Sequence, residues 1–296
     1  KRVYTSMEFT LEEPQKVYRL NLMLNDLVFM PNDISKLVNL QELDLSMNPD
    51  LNFKQAFQKL AKLENLQTLI MYNNLMTEIP DEVGLLKNLE SLSLDENEIA
   101  ELPKGIFTLE SLKELNLRQN QLSAISENIK GLKKLKVLNL KDNMITDLPK
   151  ALGDMKSLQK IQLSNNQINT IPEELGNLNE LKEFDLSFNK ITQLPYNMQA
   201  WGNLEVLNLR QNQLIEISEN IKNLKNSQSL EDFIFFEAVN FEPKSIIPIL
   251  ENSNIKNVRC FFGSEMKNKE FEILAEKYNK SNKITLFEIN TVPNNV

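Results

Sequence analysis

Leucine and asparagine recur along this chain at an interval of 23 residues. The string LxxLxLxxN begins at Val17, Leu66, Leu89, Leu112, Leu135, Leu158, Leu181 and Leu204, and a ninth copy begins at Leu40. Most copies continue as xLxxLPxxIxxL, so the period alone fixes nearly every apolar position. Counting the first leucine as zero, positions 3 and 5 of each unit are apolar and positions 2, 4 and 6 mostly polar. That alternation is the signature of a strand with one buried face. One unit cannot bury its leucines alone, so the units must stack, with their strands side by side in a parallel sheet. The unit at Leu40 carries three extra residues near Asn48, Pro49 and Asp50. Phe53, Phe57 and Leu60, which follow them, predict a short helix on the outer side.

Two further columns run through the repeat. Position 8 is asparagine throughout: Asn25, Asn48, Asn74, Asn97, Asn120, Asn143, Asn166, Asn189 and Asn212. Pro31, Pro80, Pro103, Pro149, Pro172 and Pro195 share a place on the outer arc, where a fixed φ and a missing N–H predict extended chain. Ser126 and Ser218 replace proline in two units. These residues are similar to those of the leucine-rich-repeat family over residues 17–224. The resemblance implies a horseshoe or arc: a leucine-rich-repeat solenoid of the α/β class, a right-handed β/α superhelix with a curved parallel sheet. It also implies that each asparagine lies inside its turn and bonds to backbone groups there. A lesser resemblance, of Glu12–Leu22 (EEPQKVYRLNL) to the lead-in of bacterial proteins of this family, points to a bacterial origin.

At the ends the pattern changes. Thr5 and Glu8 form a TxxE capping box ahead of Phe9 and Leu11, which predicts a helical cap over residues 1–16 before the nine repeats of 17–224. Past Leu224 the period breaks, yet apolar strings persist at Leu230, Phe233, Phe235; at Ile255, Val258, Cys260; and at Ile284, Phe287, Ile289. They predict three more strands, about twelve in all, with outer helices near 243–251 and 267–278 in longer β/α repeats over 225–296. A separate small α/β domain is the other reading of that tail.

Composition narrows the function. The apolar fraction of 41% supplies a sizeable core, while a net charge of -8 and a pI near 5.0 disfavour nucleic acid and anionic lipid as partners. The longest apolar runs are far below the roughly 20 residues of a membrane-spanning helix, so no membrane insertion of this chain is expected. The chain has no histidine and one cysteine, which removes the commonest general base and zinc ligand, multi-thiolate metal sites and any internal disulfide. Its seven glycines start no phosphate-binding loop. Cys260 falls at an inward strand position without the surroundings of the catalytic cysteine found in some bacterial effectors of this family, and reads as a buried structural thiol. The expectation is a chain without catalytic residues, metal or cofactor.

What remains is a surface. Positions 2, 4 and 6 of successive units line the outward face, and most entries are small or polar, as on a solvated surface. Three groups depart from that: Met23, Ile70 and Tyr72, which are apolar; Arg118, Lys141, Asp95 and Glu114, which are charged; and Arg210, Phe236, Phe261 and Arg259 at the C-terminal end. The last predicts a partner site, because aromatic rings beside arginines are enriched in binding hot spots. The partner-binding residues expected are therefore Arg210, Phe236, Phe261, Arg259, Tyr72, Ile70, Arg118 and Lys141. The partner expected is a protein or peptide. The lack of disulfide caps and a start at Lys1, as after signal-peptide removal, suggest a bacterial extracellular, periplasmic or cell-surface protein. The alternative is a cytoplasmic signalling scaffold, since leucine-rich-repeat proteins of the Ras-associated kind share the LPxxI repeat.

Overall fold

A computed structural model describes residues 3–198 and 200–214, the segments 232–236, 257–261 and 284–286, and single positions at 244, 247, 269, 270, 273 and 277. The strands are β1 (Val3–Tyr4), β2 (Arg19–Asn21), β3 (Glu42–Asp44), β4 (Thr68–Ile70), β5 (Ser91–Ser93), β6 (Glu114–Asn116) and β7 (Val137–Asn139). They continue as β8 (Lys160–Gln162), β9 (Glu183–Asp185), β10 (Val206–Asn208), β11 (Asp232–Phe236), β12 (Asn257–Phe261) and β13 (Ile284–Leu286). All thirteen lie in one parallel sheet in sequence order, so the fold is a leucine-rich-repeat solenoid. The twelve strands from β2 to β13 match the number expected. β1 is an addition: two residues outside any unit that pair with Arg19 and Leu20.

The inward leucines form one continuous core, with Leu43, Leu69, Leu92, Leu115 and Leu138 stacked strand to strand and each at most 1% exposed. Burial of such side chains contributes roughly 1.5–3 kcal/mol each. Beside them runs the asparagine column. The Asn120 amide donates to the carbonyls of Leu94, Leu117 and Arg118, at 3.0, 3.1 and 3.2 Å, while its oxygen accepts from Ile99 N–H at 3.0 Å. One side chain thus closes its own turn and the turn of the unit before it.

Three expectations need correction. The outer arc is not simply extended: after each of Pro31, Pro80, Pro103, Pro149 and Pro172 the chain makes a five-residue 3-10 helix, as at Lys104–Thr108. The apolar spacing is the reason. Ile106, Leu109 and Leu112 are three apart, matching three residues per turn, and Leu109 and Leu112 N–H bond back to Ile106 and Leu109 O. Ser126 heads the same turn and substitutes for proline by accepting from Asn128 N–H at 3.1 Å. Neighbouring turns approach so closely that a Cβ on Gly105 would fall 2.1 Å from Asp81 O.

The capping box at Thr5 and Glu8 does not form. The short helix α1 (Met7–Thr10) starts after Ser6, whose side chain makes no capping bond. The third correction is one of register: Val258 pairs with Ile284 and Cys260 with Leu286, three residues earlier than the string Ile284, Phe287, Ile289 implies. Alternation has period 2, and Ile284, Thr285, Leu286 alternates as well as the later residues do. Thr285, not Glu288, therefore stands beside Arg259. The outer helix after Asn48 forms as expected, α2 (Phe53–Leu60), with Ala56, Phe57 and Leu60 fully buried. The helices expected at 243–251 and 267–278 lie largely outside the described residues.

Candidate functional site

On the outward face six of the nine strands from β2 to β10 end in a local brace. At position 4 the side chains of Asn21, Asp44, Asn116, Asn139, Asp185 and Asn208 reach two residues forward and accept from the position-6 N–H, at 2.8 to 3.2 Å. A short carboxamide or carboxylate has the reach for this bond, and it holds the position-6 side chain on the face. Five of the residues on the face from β2 to β10 are cations. Arg19 bonds to Glu42 at 2.6 Å, which raises its guanidinium pKa further, and Lys160 pairs with Glu183 at 2.5 Å. Arg118 Nε donates to Asp142 at 3.0 Å, with Glu96 at 3.8 Å on its other side. Arg210 stacks over the Phe188 ring, 5.3 Å from its centroid. Lys141 differs. Among the described residues its ammonium group has no hydrogen bond or ion pair.

Lys141 and Arg210 mark the two ends of a cavity of about 470 Å³, lined also by Asp142, Ser164, Asn165, Asp185, Ser187, Phe188 and Asn208. Pockets of this size hold a small ligand or a few residues of a peptide. Its depth comes from small side chains. Ser164 and Ser187 occupy position 6 between the two cations and are 3% and 4% exposed. The expectation of a solvated position-6 column is corrected here, since Ser46, Ser164 and Ser187 all sink below their larger neighbours. The Phe188 rim is 47% exposed.

The expected site residues separate accordingly. Arg210 and Lys141 share the cavity. Arg118 borders it through Asp142, but its partners are Asp142 and Glu96; Asp95 and Glu114 instead accept from Ser93 and Ser91 on their own side of the face. Ile70 on β4 and Tyr72 just beyond its end stand apart, both half-buried, with Tyr72 N–H donating to Ser46 Oγ at 3.1 Å. Strand pairing sets Phe236 beside Phe261 and Ile234 beside Arg259. The side chains of Phe236, Phe261, Arg259 and Cys260 lie outside the described residues. Sequence reasoning missed Asp142, Asn165 and Phe188, which sit at position 7, counted as loop. Each has a left-handed φ, from 55° to 57°, that turns its side chain back beside the face.

A model described as a leucine-rich repeat region matches residues 51–159 and 81–193, and a leucine rich repeat model matches 203–224. No curated protein matches the chain in sequence. Among solved structures, an internalin of Listeria monocytogenes is 18% identical with a TM-score of 0.65, over 97% of this chain and 72% of that one. At that identity the likeness is one of fold. The plant peptide hormone receptor RGFR1, in complex with RGF2, is 25% identical with a TM-score of 0.63, over 87% of this chain and 46% of the receptor. The ectodomain of the Arabidopsis thaliana membrane receptor kinase GASSHO1/SCHENGEN3, in complex with CASPARIAN STRIP INTEGRITY FACTOR 2, is 26% identical with a TM-score of 0.62, over 81% of this chain and 29% of that one. The chain thus spans less than half of either plant receptor. The repeat models, the sheet and the asparagine column agree, and the chain belongs to the leucine-rich-repeat family.

Proposed function

We propose that this chain is a non-enzymatic module that binds a protein or peptide on the outward face of its sheet, as part of a bacterial exported or cell-surface protein. The observation that carries the reading is the cavity sunk into that face between Lys141 and Arg210. A face built only to be wetted has no need of a recess walled by two cations and an exposed ring. The two plant receptors of 25% and 26% identity, each solved with a named partner, support ligand binding as the role, and the second, an ectodomain, supports a place outside the cytoplasm. A chain without histidine also lacks the commonest proton carrier of hydrolytic sites.

Arg210, Lys141 and Arg118 would make the central contact, with Ile70 and Tyr72 toward the N-terminal end and Phe236, Phe261 and Arg259 toward the other. The test is selection from a random peptide display library on the whole chain, followed by binding to Tyr72→Ala and Arg210→Glu. Peptides that bind the parent and lose at least about tenfold in affinity to Arg210→Glu support the reading. Failure of any peptide to enrich, or enrichment indifferent to every face substitution, refutes it. Location is tested by protease treatment of intact native cells: cleavage of the chain supports display, whereas full protection with a cytosolic fractionation favours the signalling scaffold.

A further inference from the structure

Three donors on the face that have no acceptor among the described residues stand close together on adjacent units. Gln162 stands at position 4 of its unit, where the six bracing residues are Asn or Asp, and being one methylene longer it makes no bond to Ser164 N–H. That N–H has no acceptor among the described residues. The Ser164 hydroxyl is unpartnered too, on a side chain 3% exposed that lines the cavity. Its isolation has a visible cause. In the matching arrangement at the other end of the face, Ser46 Oγ accepts the N–H of Tyr72 in the next unit, but Ser187 N–H is already taken by Asp185 at 3.0 Å. A buried hydroxyl and N–H without partners are costly, and a ligand that supplies acceptors recovers that cost. The free ammonium of Lys141 stands on the adjacent unit, since Asn139 pairs with Gln162.

The Asp142 carboxylate beside Lys141 does not satisfy it, because Arg118 Nε and Asn165 Nδ2 already occupy its two oxygens at 3.0 and 2.9 Å. On the other side of Ser164, Asp185 Oδ1 accepts from both Ser187 N–H and Ser187 Oγ, while its Oδ2 has no bond among the described residues. Donors with a net positive charge thus face one end of the recess, and a free carboxylate oxygen lies one unit further on.

We propose that Lys141 and Ser164 form a carboxylate subsite for an aspartate or glutamate side chain of an extended peptide, and that Asp185 Oδ2 accepts a backbone N–H of the same peptide. This rests on the peptide-binding reading and names its chemistry. The bound carboxylate takes the Lys141 ammonium directly and, after a χ1 turn of Ser164, its hydroxyl. Lys141 and Asp185 are two strands apart, about 10 Å, which extended chain covers in about three residues. The Phe188 ring under Arg210 forms the wall beyond.

The test uses the peptides selected on the whole chain and their Asp→Asn and Glu→Gln counterparts, with affinities measured by fluorescence anisotropy for the parent, Lys141→Met, Lys141→Arg, Ser164→Ala and Asp185→Asn. The expected result is one acidic position shared by the selected peptides, whose neutralisation weakens binding roughly tenfold or more to the parent and hardly at all to Lys141→Met. Ser164→Ala should weaken binding a few fold, Lys141→Arg should retain most of it, and none of these substitutions touches the core. Selected peptides without a shared acidic position, or equal losses in parent and Lys141→Met, overturn the subsite and leave peptide binding standing. If nothing enriches, both fall. Sodium acetate or inorganic phosphate displacing a peptide at millimolar concentration, with Asp185→Asn without effect, would instead show a site for free anions and overturn the peptide assignment.

Discussion

Asn120 and Asn74 hold the same position in their units and are bound very differently. Asn120, in a regular unit, spends its amide on three carbonyls and its oxygen on the N–H of Ile99. Asn74 follows the unit with three extra residues; it is fully buried, accepts only from Asn48 N–H at 2.7 Å, and its amide nitrogen has no partner. The insertion is the cause. Leu51 N–H turns back to Asn48 O at 3.1 Å, whereas its counterparts Leu27 and Met76 reach the asparagine of the following unit. What holds the inserted unit is α2: Phe57 and Leu60 are buried, and Gln55 bonds to both N–H and O of Met30 at 3.0 and 3.2 Å. A longer unit therefore replaces hydrogen bonds inside the turn with apolar packing outside it.

The sharpest way to break this comparison is Phe57→Ala, which should cost about 3–5 kcal/mol in urea unfolding if packing holds the inserted unit. A loss below about 1 kcal/mol would show that it does not. Next comes Asn120→Ala, or Asn166→Ala, expected to cost roughly 1–3 kcal/mol because backbone groups of two units lose partners. Asn74→Ala should cost less than either, about 1 kcal/mol, since one bond is lost and an unpaired amide removed. Equal losses at Asn74 and Asn120 would refute the account.

The smallest effect is electrostatic and should be alike in both regions. Hydrogen bonding from Lys54 on α2 lowers the pKa of Glu82, and hydrogen bonding from Lys133 lowers that of Glu110 in the regular units. Both folded values lie below the ordinary carboxylate value, so the contribution is present above that value and lost as pH falls through the folded one. Melting curves between about pH 5 and pH 3 should fall slightly less for Glu82→Gln and Glu110→Gln than for the parent. A steeper fall in either variant contradicts the sign.

The sheet was legible because nine units repeat one pattern, so even an inserted helix showed in Phe53, Phe57 and Leu60. β1 was not, since Val3 and Tyr4 belong to no repeat and owe their strand to the open edge of β2. The 3-10 turns were hidden for a different reason: proline was read for its own extended φ, while the three-residue spacing of Ile106, Leu109 and Leu112 carried the signal. At the site, sequence reasoning found Lys141 and Arg210 by their charge. It could not find the recess, which exists because Ser164 and Ser187 are small, nor the missing brace at Gln162, which shows only when six neighbouring units are compared bond by bond.

Residues 24, 47, 73, 96, 119, 142, 165, 188 and 211, one per unit, adopt a left-handed φ between 48° and 57°, and none is glycine. Such a conformation costs an ordinary residue roughly 1–2 kcal/mol. Leu, Met, Asn, Glu, Gln, Asp and Phe all occur there, so the scaffold accepts side chains of very different kinds at a backbone bend it keeps constant. Variation is therefore cheap at the one loop position that leans over the face. Asp142 and Phe188, the supports of Arg118 and Arg210, are two such choices, and a solenoid built this way can alter what its surface recognises by single substitutions while its strands stay as they are.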